Sequence, residues 1–303
     1  MPGYEDFELF AEGSMGHIYR GKDLNTGKTV AYKMIHPDRK DDKWSLSCLR
    51  KEFEFSKKFE NVNLVKAHRW IRDGPGFIMD FILGEELKYA LSSRLYTFKD
   101  RIVVVLGICD ALGYMHEKMQ KPILHLDIKP ENVIVRTKNE SEKFKRSHVV
   151  LLDYGTSQEM IKGPKILSLR GIKDILSDQK VIGGSFLYMS PEQSRVENLD
   201  IRSDIYSLGC LMYELFTGQL PFESNFTQDR EEGSSVAPEE TTIDRHELKV
   251  MHIQEIPKVP SEVNPKISPV LSKIIMRCLQ KKPNNRYASI TELSMDLQRL
   301  SVF

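Results

Sequence analysis

Several features are scarce in this sequence of 303 residues, and each scarcity excludes a class of protein. Cysteine is rare, and its four positions are widely separated, with no C-x-x-C pair: Cys48, Cys109, Cys210 and Cys278. This spacing excludes a disulfide framework or a zinc-binding motif and favours reduced thiols in a cytoplasmic protein. No apolar run approaches the ~18 to 20 residues of a membrane span. The acidic N-terminus MPGYEDFELF also lacks the basic region of a signal peptide, so we expect a soluble domain.

An excess of charge of one sign is also missing. The chain has 44 lysines and arginines against 43 aspartates and glutamates, a formal net charge of +1. Nucleic-acid-binding proteins usually have a basic excess or a clustered basic face. The basic stretch Lys138–Arg146 also contains acids and is interpreted as a solvated loop. We therefore expect no nucleic-acid partner.

The order of the predicted elements indicates an α+β fold with two lobes. Five segments with strand character accompany one segment of helical period, which contains Leu49, Phe53 and Phe59. The predicted strands are Phe7–Phe10, Gly16–Gly21, Thr29–Ile35, Lys66–Arg72 and Gly76–Phe81. Beyond Glu85 the main predicted elements are helices: Phe98–Lys118, Ile201–Thr217, Ser268–Gln280 and Ser289–Leu300. Strands followed by helices are typical of α+β folds.

Three polar stretches are interpreted as insertions. They are Arg136–His148, part of Thr156–Gly184, and Glu223–Arg245. The last has few apolar residues, so we expect disorder there, with a docking surface as the alternative. The second contains a basic, apolar stretch around Ile166–Ile175, for which an extra helix is one interpretation.

A glycine-containing turn and a buried lysine are the first candidate functional features. The turn Ala11-Glu-Gly13-Ser-Met-Gly16-His-Ile18 lies between two predicted strands. Glycines there allow the backbone to approach phosphate oxygens closely, although many hairpins contain two glycines for structural reasons alone. Lys33 lies in an apolar strand, where its charge needs an anionic partner such as a nucleotide phosphate or a carboxylate.

The following helix offers two candidate carboxylates for Lys33. Glu52 and Glu54 cannot face the same way, because a helix turns by ~100° per residue. Glu52 lies nearer the apolar face that contains Phe53, so it is the favoured partner. The alternative interpretation is a lysine on an edge strand and a glutamate on the surface.

The stretch His125-Leu-Asp127-Ile-Lys129-Pro-Glu-Asn132 carries the strongest chemical signal. Phosphoryl transfer needs mainly positioning and neutralisation of charge. Asp127 can orient an attacking hydroxyl and accept its proton, and Lys129 can offset negative charge on the transferred group. Asn132 offers a neutral oxygen to a hard cation such as Mg²⁺. A second apolar strand ends at Asp153, and pairing of the two strands predicts that this acid lies beside Asn132.

Together these motifs resemble those of the eukaryotic-type protein kinase superfamily, and the resemblance covers Phe7 to Leu300. It implies a two-lobed α+β kinase fold with a five-stranded antiparallel sheet and one main helix in the N-lobe, residues 1–81. A hinge at residues 80–84 and a mainly helical C-lobe at residues 85–303 would complete a single domain. It also implies transfer of the γ-phosphoryl group of ATP, with Mg²⁺ or Mn²⁺, to serine or threonine of protein substrates, including the chain itself.

Residue roles follow from the same resemblance. Asp127 would be the base, Lys33 would contact the α- and β-phosphates while paired to Glu52, and Asn132 and Asp153 would hold Mg²⁺. Met79 would be the gatekeeper, and the backbone of residues 80–82 would bind the adenine edge. The full set of implied nucleotide-binding residues is Phe10, Gly13, Ser14, Gly16, Ile18, Ala31, Lys33, Met79, Asp80, Ile82 and Ile134.

Motifs further along the chain extend the resemblance. Ser190-Pro-Glu192 resembles the A-P-E motif, with Arg286 as its ion-pair partner, and Asp204–Gly209 resembles the helix that anchors the catalytic loop. Lys129 in its Asp-Ile-Lys-Pro-Glu-Asn context is typical of serine/threonine kinases. The segment Tyr188–Gln193 is most similar to bacterial members of that group.

The sequence departs from the family pattern at four positions. Ala11 replaces the first glycine of the glycine-rich turn, Tyr154 replaces the phenylalanine of D-F-G, and Ser185 replaces a threonine of the substrate pocket. Leu126 stands where many relatives have an arginine that pairs with a phosphate on the segment 153–192. We therefore expect activity without phosphorylation of that segment.

Two other functions share much of this pattern. An ATP-binding pseudokinase scaffold usually lacks the equivalent of Lys33, Asp127 or Asp153, and all three are present. A small-molecule phosphotransferase lacks the motifs at Ser190-Pro-Glu192 and Arg286.

Overall fold

A computed structural model describes residues 3–13, 16–72, 74–92, 96–137, 142–160, 183–223 and 245–300. Its N-terminal part is a five-stranded antiparallel sheet with the strand order β1-β2-β3-β5-β4. The strands are β1 Tyr4–Gly13, β2 Gly16–Asp23, β3 Thr29–Ile35, β4 Ala67–Ile71 and β5 Gly76–Asp80. Asp23 and Gly27 build the turn between β2 and β3. The Asp23 carboxylate accepts the Asn25 N–H at 2.8 Å, and Gly27 has φ +68°.

Helix α1, Lys43–Ser56, packs on this sheet. Asp42 begins the helix by accepting the backbone N–H groups of Trp44 and Ser45, each at 3.3 Å. Leu49 and Phe53 are buried against the sheet in a cluster that includes Phe77. Since residues three and four apart share a helix face, this burial also turns the position of Glu52 inward.

The remainder of the chain is mainly helical, with short strands. The helices are α2 Leu87–Ser92, α3 Phe98–Gly113, α4 Pro191–Arg195, α5 Ile201–Thr217, α6 Arg245–Gln254, α7 Pro260–Val263, α8 Pro269–Cys278 and α9 Ile290–Leu300. The strands are β6 Gly84–Glu86, β7 Ile123–Leu124, β8 Val133–Arg136, β9 Val149–Leu151 and β10 Gln158–Glu159. They form a sheet of order β6-β8-β9 and a β7-β10 pair.

Helix α5 forms the centre of the helical part. Its apolar side chains at Ile205, Leu208 and Leu211 are fully buried, and each contributes about 1.5–3 kcal/mol by leaving water. Gly209 allows α8 to pack closely, because a Cβ atom at this position would lie 2.7 Å from the Cβ atom of Cys278. The buried core therefore holds α5 rigidly, including the acidic residue in its first turn, Asp204.

The predicted α+β architecture is confirmed, and individual elements differ from their predicted bounds. Strand β1 begins before Phe7 and continues past Phe10, because its exposed residues also pair with β2. The predicted helix Phe98–Lys118 changes to a π-helical turn at Tyr114–Lys118. This turn places His116 Nε2 2.8 Å from Asp204 Oδ2.

Helix α6 was not predicted. Leu248 and His252 are fully buried, and Met251 packs against the cluster that contains Leu248. Two apolar residues and a histidine on a helix of ten residues give only a weak sequence signal of an amphipathic helix. No helix in the described ranges combines the length and the apolar character that a bilayer crossing requires.

Of the three predicted insertions, only parts are described. Residues 142–148 pack on the helical part, where His148 is buried and the carbonyl of Arg146 accepts the Asn63 Nδ2–H at 2.6 Å. Within this part, Phe144 also packs against the core, whereas Lys143 and Lys145 are exposed to solvent. The predictions for residues 166–175 and for most of 223–245 lie outside the described residues.

Candidate active site

The loop between β7 and β8 carries Asp127, and α5 holds its backbone. Both carboxylate oxygens of Asp204 accept from this loop, one from the His125 N–H and one from the Leu126 N–H, each at 2.8 Å. Leu126 has φ +68°, a left-handed conformation that is unfavourable for leucine by about 1–3 kcal/mol. The buried hydrogen bonds to Asp204 therefore stabilise a strained loop next to Asp127.

Asp127 is oriented by two donors from its own loop. Its Oδ2 atom lies 2.9 Å from both Lys129 Nζ and Asn132 Nδ2. Lys129 also donates to the Ser185 hydroxyl at 2.7 Å. Burial disfavours the charged form of Lys129, but the Asp127 carboxylate outweighs burial and raises the pKa of the amine. Asp127, Lys129 and Ser185 thus form one chain of hydrogen bonds, which we call the Asp127 row.

Asp153 follows β9 and lies beside Asn132. The antiparallel register pairs Val133 with Leu151, and the Leu152 N–H donates to the Asn132 carbonyl at 2.8 Å. Asp153 has φ +62°, and its Oδ1 accepts the Gly155 N–H at 3.2 Å. Burial favours its neutral form, but the nearby amines of Lys33 and Lys129 outweigh burial and lower the pKa of Asp153.

Lys33 of β3 joins this group to helix α1. Its Nζ atom lies 2.8 and 2.7 Å from the two carboxylate oxygens of Glu52, and 3.8 Å from Asp153 Oδ2. Glu54 instead pairs with Arg50 on the exposed face of the helix, at 2.9 Å. Burial raises the pKa of Glu52 to about 7, although Lys33 opposes this shift. Lys33 keeps its charge, because the carboxylates of Asp153 and Glu52 outweigh its own burial and raise its pKa.

Three of the predicted nucleotide-binding residues, Ile18, Ala31 and Met79, lie on the strands β2, β3 and β5 that surround Lys33. Ala31 pairs with Met79 across β3 and β5, and Ile18 pairs with Lys33 across β2 and β3. Ile82 is buried and Ile134 packs on the helical core.

Three other predicted nucleotide-binding residues lie in more exposed places. Phe10 is 54% exposed and packs edge-on against Phe81, with ring centroids 5.0 Å apart. The Asp80 carboxylate contacts His68 Nε2 at 2.8 Å, which leaves only its backbone as a candidate group for adenine. Ser14 lies outside the described residues.

The two glycines of the β1–β2 turn differ in their surroundings. A Cβ atom at Gly16 would lie 2.0 Å from the Met34 carbonyl oxygen, so this glycine is required by the close approach of β3. A Cβ atom at Gly13 would meet only the Gly16 carbonyl, at 3.5 Å. The packing of β3 therefore requires glycine at position 16. The surroundings of Gly13 do not require glycine in this way, so Gly13 is the better candidate for a glycine that serves nucleotide binding.

The side-chain oxygen atoms of Asn132 and Asp153 are of the kind that binds a magnesium ion. Asn132 uses its Nδ2 atom to donate to Asp127 O at 2.7 Å and to Asp127 Oδ2, so its Oδ1 atom is turned away from these bonds. Asp153 is favoured in its ionised form. One amide oxygen and one carboxylate are the hard donors with which proteins bind Mg²⁺ alongside substrate phosphates.

Several residues that support the site were not predicted. His116 donates to Asp204, Asn63 ties the end of α1 to β9, and Gln193 Nε2 donates to the Leu126 carbonyl at 3.0 Å. Each contact joins residues far apart in the chain, so no local pattern indicates it. The ion pair of Glu192 with Arg286, at 2.7 Å, joins two motifs that the sequence analysis had linked.

Comparisons with known proteins agree with this geometry. Residues 4–296 match the family model of the protein kinase domain. The chain is 29% identical over 296 residues to the serine/threonine-protein kinase pkn3 of Myxococcus xanthus, covering 96% of this chain and 48% of that protein. It is 27% identical over 304 aligned positions to PknB of Mycolicibacterium smegmatis and to PknB of Mycobacterium tuberculosis, covering 98% of this chain and 43% and 42% of those kinases. The chain thus spans less than half the length of these relatives.

Proposed function

This chain belongs to the protein kinase family, and from that premise we propose that it is an active serine/threonine kinase. It transfers the γ-phosphoryl group of ATP to a serine or threonine hydroxyl of a protein, including its own chain. The observation that carries this proposal is the contact of Lys33 with both Glu52 and Asp153, together with the Asp127–Lys129 pair, on chain segments that the pairing of β8 with β9 brings together. A scaffold that only binds nucleotide has no need of an oriented carboxylate beside a charged lysine.

Asp127 acts as the base in this proposal. Two hydrogen bonds occupy its Oδ2 atom, so Oδ1 is the atom that accepts the proton of the attacking hydroxyl. General-base assistance of this kind contributes about 10²–10⁴-fold in rate. Lys129 offsets charge near the transferred group and, through Ser185, connects the base to the segment that receives the substrate.

Lys33 orients the nucleotide, and Glu52 orients Lys33. The amine has 11% side-chain exposure and three carboxylate oxygens within 4 Å, which leaves it charged and directed into the cleft. A magnesium ion held by Asp153 and Asn132 supplies charge neutralisation on the phosphates when it is bound. The same oxygen donors also accept Mn²⁺.

We also propose an acceptor class and a cellular compartment. The hydroxyl of Ser185 beside Lys129 supports serine and threonine as acceptors. Transfer to tyrosine alone would contradict this acceptor class. All four cysteines are free and buried, which supports a reducing compartment such as the cytoplasm for this domain.

The test is transfer of label from γ-labelled ATP with Mg²⁺, by the purified chain alone and with a histone as acceptor. Asp127→Asn is expected to lower kcat by about 10²–10⁴-fold while ATP binding is retained. Asp38→Asn is the matched control, because the Asp38 side chain is 86% exposed.

Each outcome distinguishes one alternative. Label on serine or threonine that disappears in Asp127→Asn supports the proposal. Clear ATP binding without transfer by the wild-type chain favours the scaffold function instead. Equal transfer by wild type and Asp127→Asn removes Asp127 from the reaction, and label on tyrosine alone contradicts the acceptor class.

A further inference from the structure

The side chain of Gln193 connects helix α4 to the loop that carries Asp127. Its Nε2 atom donates to the Leu126 carbonyl at 3.0 Å, and its Oε1 atom accepts the Ser190 N–H at 3.1 Å. The residue is 7% exposed. One buried amide therefore bridges two backbone segments that are separated by more than sixty positions in the chain.

Only half of this bridge is explained by helix capping. Ser190 and Gln193 form a capping box, in which the Ser190 hydroxyl accepts the Gln193 N–H at 3.3 Å and Gln193 Oε1 accepts the Ser190 N–H. Glutamate and glutamine serve equally as the second residue of such a box. The Nε2 donor has no part in capping, and its one described hydrogen bond goes to Leu126.

The Leu126 carbonyl belongs to the peptide group that leads into Asp127. Because a peptide group is planar, fixing the direction of this carbonyl also fixes the N–H and Cα of Asp127. The preceding peptide group is held separately by Asp204, through the Leu126 N–H. Leu126 lies in the strained left-handed region, so its conformation depends on such bonds.

We propose that Gln193 is a positioning residue for Asp127, which couples an ordered α4 segment to the orientation of the base. The proposal rests on the role of Asp127 in the proposed function. When α4, which follows Ser185 in the chain, packs against the Asp127 loop, the Gln193 Nε2 donor reaches the Leu126 carbonyl. When α4 is displaced the carbonyl loses this donor, and the backbone of Asp127 is held less firmly, although Lys129 and Asn132 still contact its carboxylate.

The variant Gln193→Glu separates capping from positioning. The glutamate retains an acceptor for the Ser190 N–H, but its ionised form presents an oxygen to the Leu126 carbonyl instead of a donor. Burial and the carbonyl oxygen both raise the pKa of the introduced carboxyl. Once protonated, the carboxyl again donates a hydrogen bond. Gln193→Met lacks donor and acceptor at every pH.

Single-turnover phosphoryl transfer is the measurement, because it excludes product release. At about pH 8 we expect Gln193→Glu to transfer about 10- to 100-fold more slowly than wild type, the scale of a small misplacement of a reacting group. ATP binding stays unchanged. The ratio of the variant rate to the wild-type rate recovers as the pH falls toward about 6, whereas the ratio for Gln193→Met stays low.

Gln280→Glu and Gln280→Met are the matched controls. Gln280 also donates its Nε2–H to a backbone carbonyl, that of Met276 at 3.2 Å, but it is exposed and follows α8. Both control variants are expected to transfer at the wild-type rate. Thermal midpoints of all four variants identify any that fail to fold.

Hydrogen exchange of the peptide 123–132 provides a readout without turnover. We expect faster exchange in Gln193→Glu at about pH 8 than in the control variants. A wild-type chain that transfers no label refutes the proposed function, and the exchange then decides alone whether Gln193 holds the loop. A wild-type pH profile and unchanged exchange in Gln193→Glu overturn the inference, as does a loss of rate that follows only a loss of stability.

Discussion

Charged side chains in the site share partners instead of forming isolated pairs. Lys33 contacts both Glu52 and Asp153, and Lys129 contacts both Asp127 and the Ser185 hydroxyl. Removal of one member of a buried pair leaves a charge without compensation, which costs several kcal/mol or neutralises the group. Burial raises the pKa of Glu52, and the contact with Lys33 opposes that shift, so the ionised form of Glu52 depends on its partner.

Tyr154 adds a hydroxyl where the family motif has phenylalanine, and both bonds of that hydroxyl are buried. It donates to the Leu151 carbonyl at 2.5 Å and accepts the Val65 N–H at 3.0 Å. The Tyr154 side chain thereby links the residue after Asp153 to Val65, which lies between α1 and β4.

We expect Tyr154→Phe to lower the free energy of unfolding by about 1–3 kcal/mol, because two buried backbone groups lose their partner. The measurement is denaturant unfolding. Tyr89→Phe, at a side chain with 58% exposure, is the control. Equal unfolding midpoints for wild type and Tyr154→Phe would show that the two backbone groups find other partners.

At the scale of elements, β7, β10 and the residues that follow α4 are held to one another by apolar contacts and backbone bonds. Leu126 is buried in a cluster with Leu124 and Leu199, against which Met160 packs. Strand β10 pairs with β7, and the Met160 N–H donates to the Pro122 carbonyl at 2.8 Å. In family members with an arginine at position 126, the corresponding connection is an ion pair with a phosphate. Leu126 is instead buried here, and we expect this apolar contact to need no phosphate.

Phosphatase treatment is therefore expected to leave the rate of transfer to an added substrate unchanged. The apolar cluster holds the start of the segment whether or not a phosphate is present. The rate is compared before and after treatment, with mass spectrometry to verify loss of phosphate. If treatment abolished activity and one phosphosite between Asp153 and Glu192 restored it, phosphorylation and not the cluster would order the segment.

At the scale of the whole molecule, buried ionisable groups connect stability to pH. Burial lowers the pKa of His252 to about 3, and the neighbouring Lys281 amine acts in the same direction. The His252 Nδ1 atom lies 3.0 Å from the Tyr206 hydroxyl. An unfolded histidine binds a proton below about pH 6.5, but folded His252 does not until about pH 3. The folded state therefore loses stability as the pH falls through this window, by up to about 1.4 kcal/mol per pH unit.

His252→Gln is expected to weaken this dependence. Glu52, whose pKa is raised to about 7, acts in the opposite direction, because the folded state protonates it first. Because Glu52 is present in both proteins, the difference in pH dependence between His252→Gln and wild type reports the contribution of His252. Thermal midpoints between about pH 5 and about pH 7 should fall less steeply in His252→Gln than in wild type, with the more exposed His36→Gln as control. Parallel curves for all three proteins would exclude His252 as the titrating group.

How much the sequence predicts depends on the separation of the residues involved. The strands around Lys33, helix α5 and the Asp127 loop have strong local patterns, because periodicity and short motifs depend only on neighbours in the chain. Helix α6 and the packed residues 142–148 were missed, since Tyr206 contacts the helix and Asn63 contacts Arg146, both from distant parts of the chain. The predicted bounds of β1 were too short because pairing with β2, not its own apolar content, determines its length.

The sequence by itself therefore determined the order of the main strands and helices, the family resemblance and the identities of the charged residues, since these reside in composition and local spacing. Only the tertiary structure decided which carboxylate faces Lys33, that Gly16 is required by a neighbouring strand, and that Gln193 contacts the carbonyl before Asp127. These features depend on the packing of elements distant in the chain. The direction of each side chain is fixed by buried contacts and hydrogen bonds that form only when those elements meet.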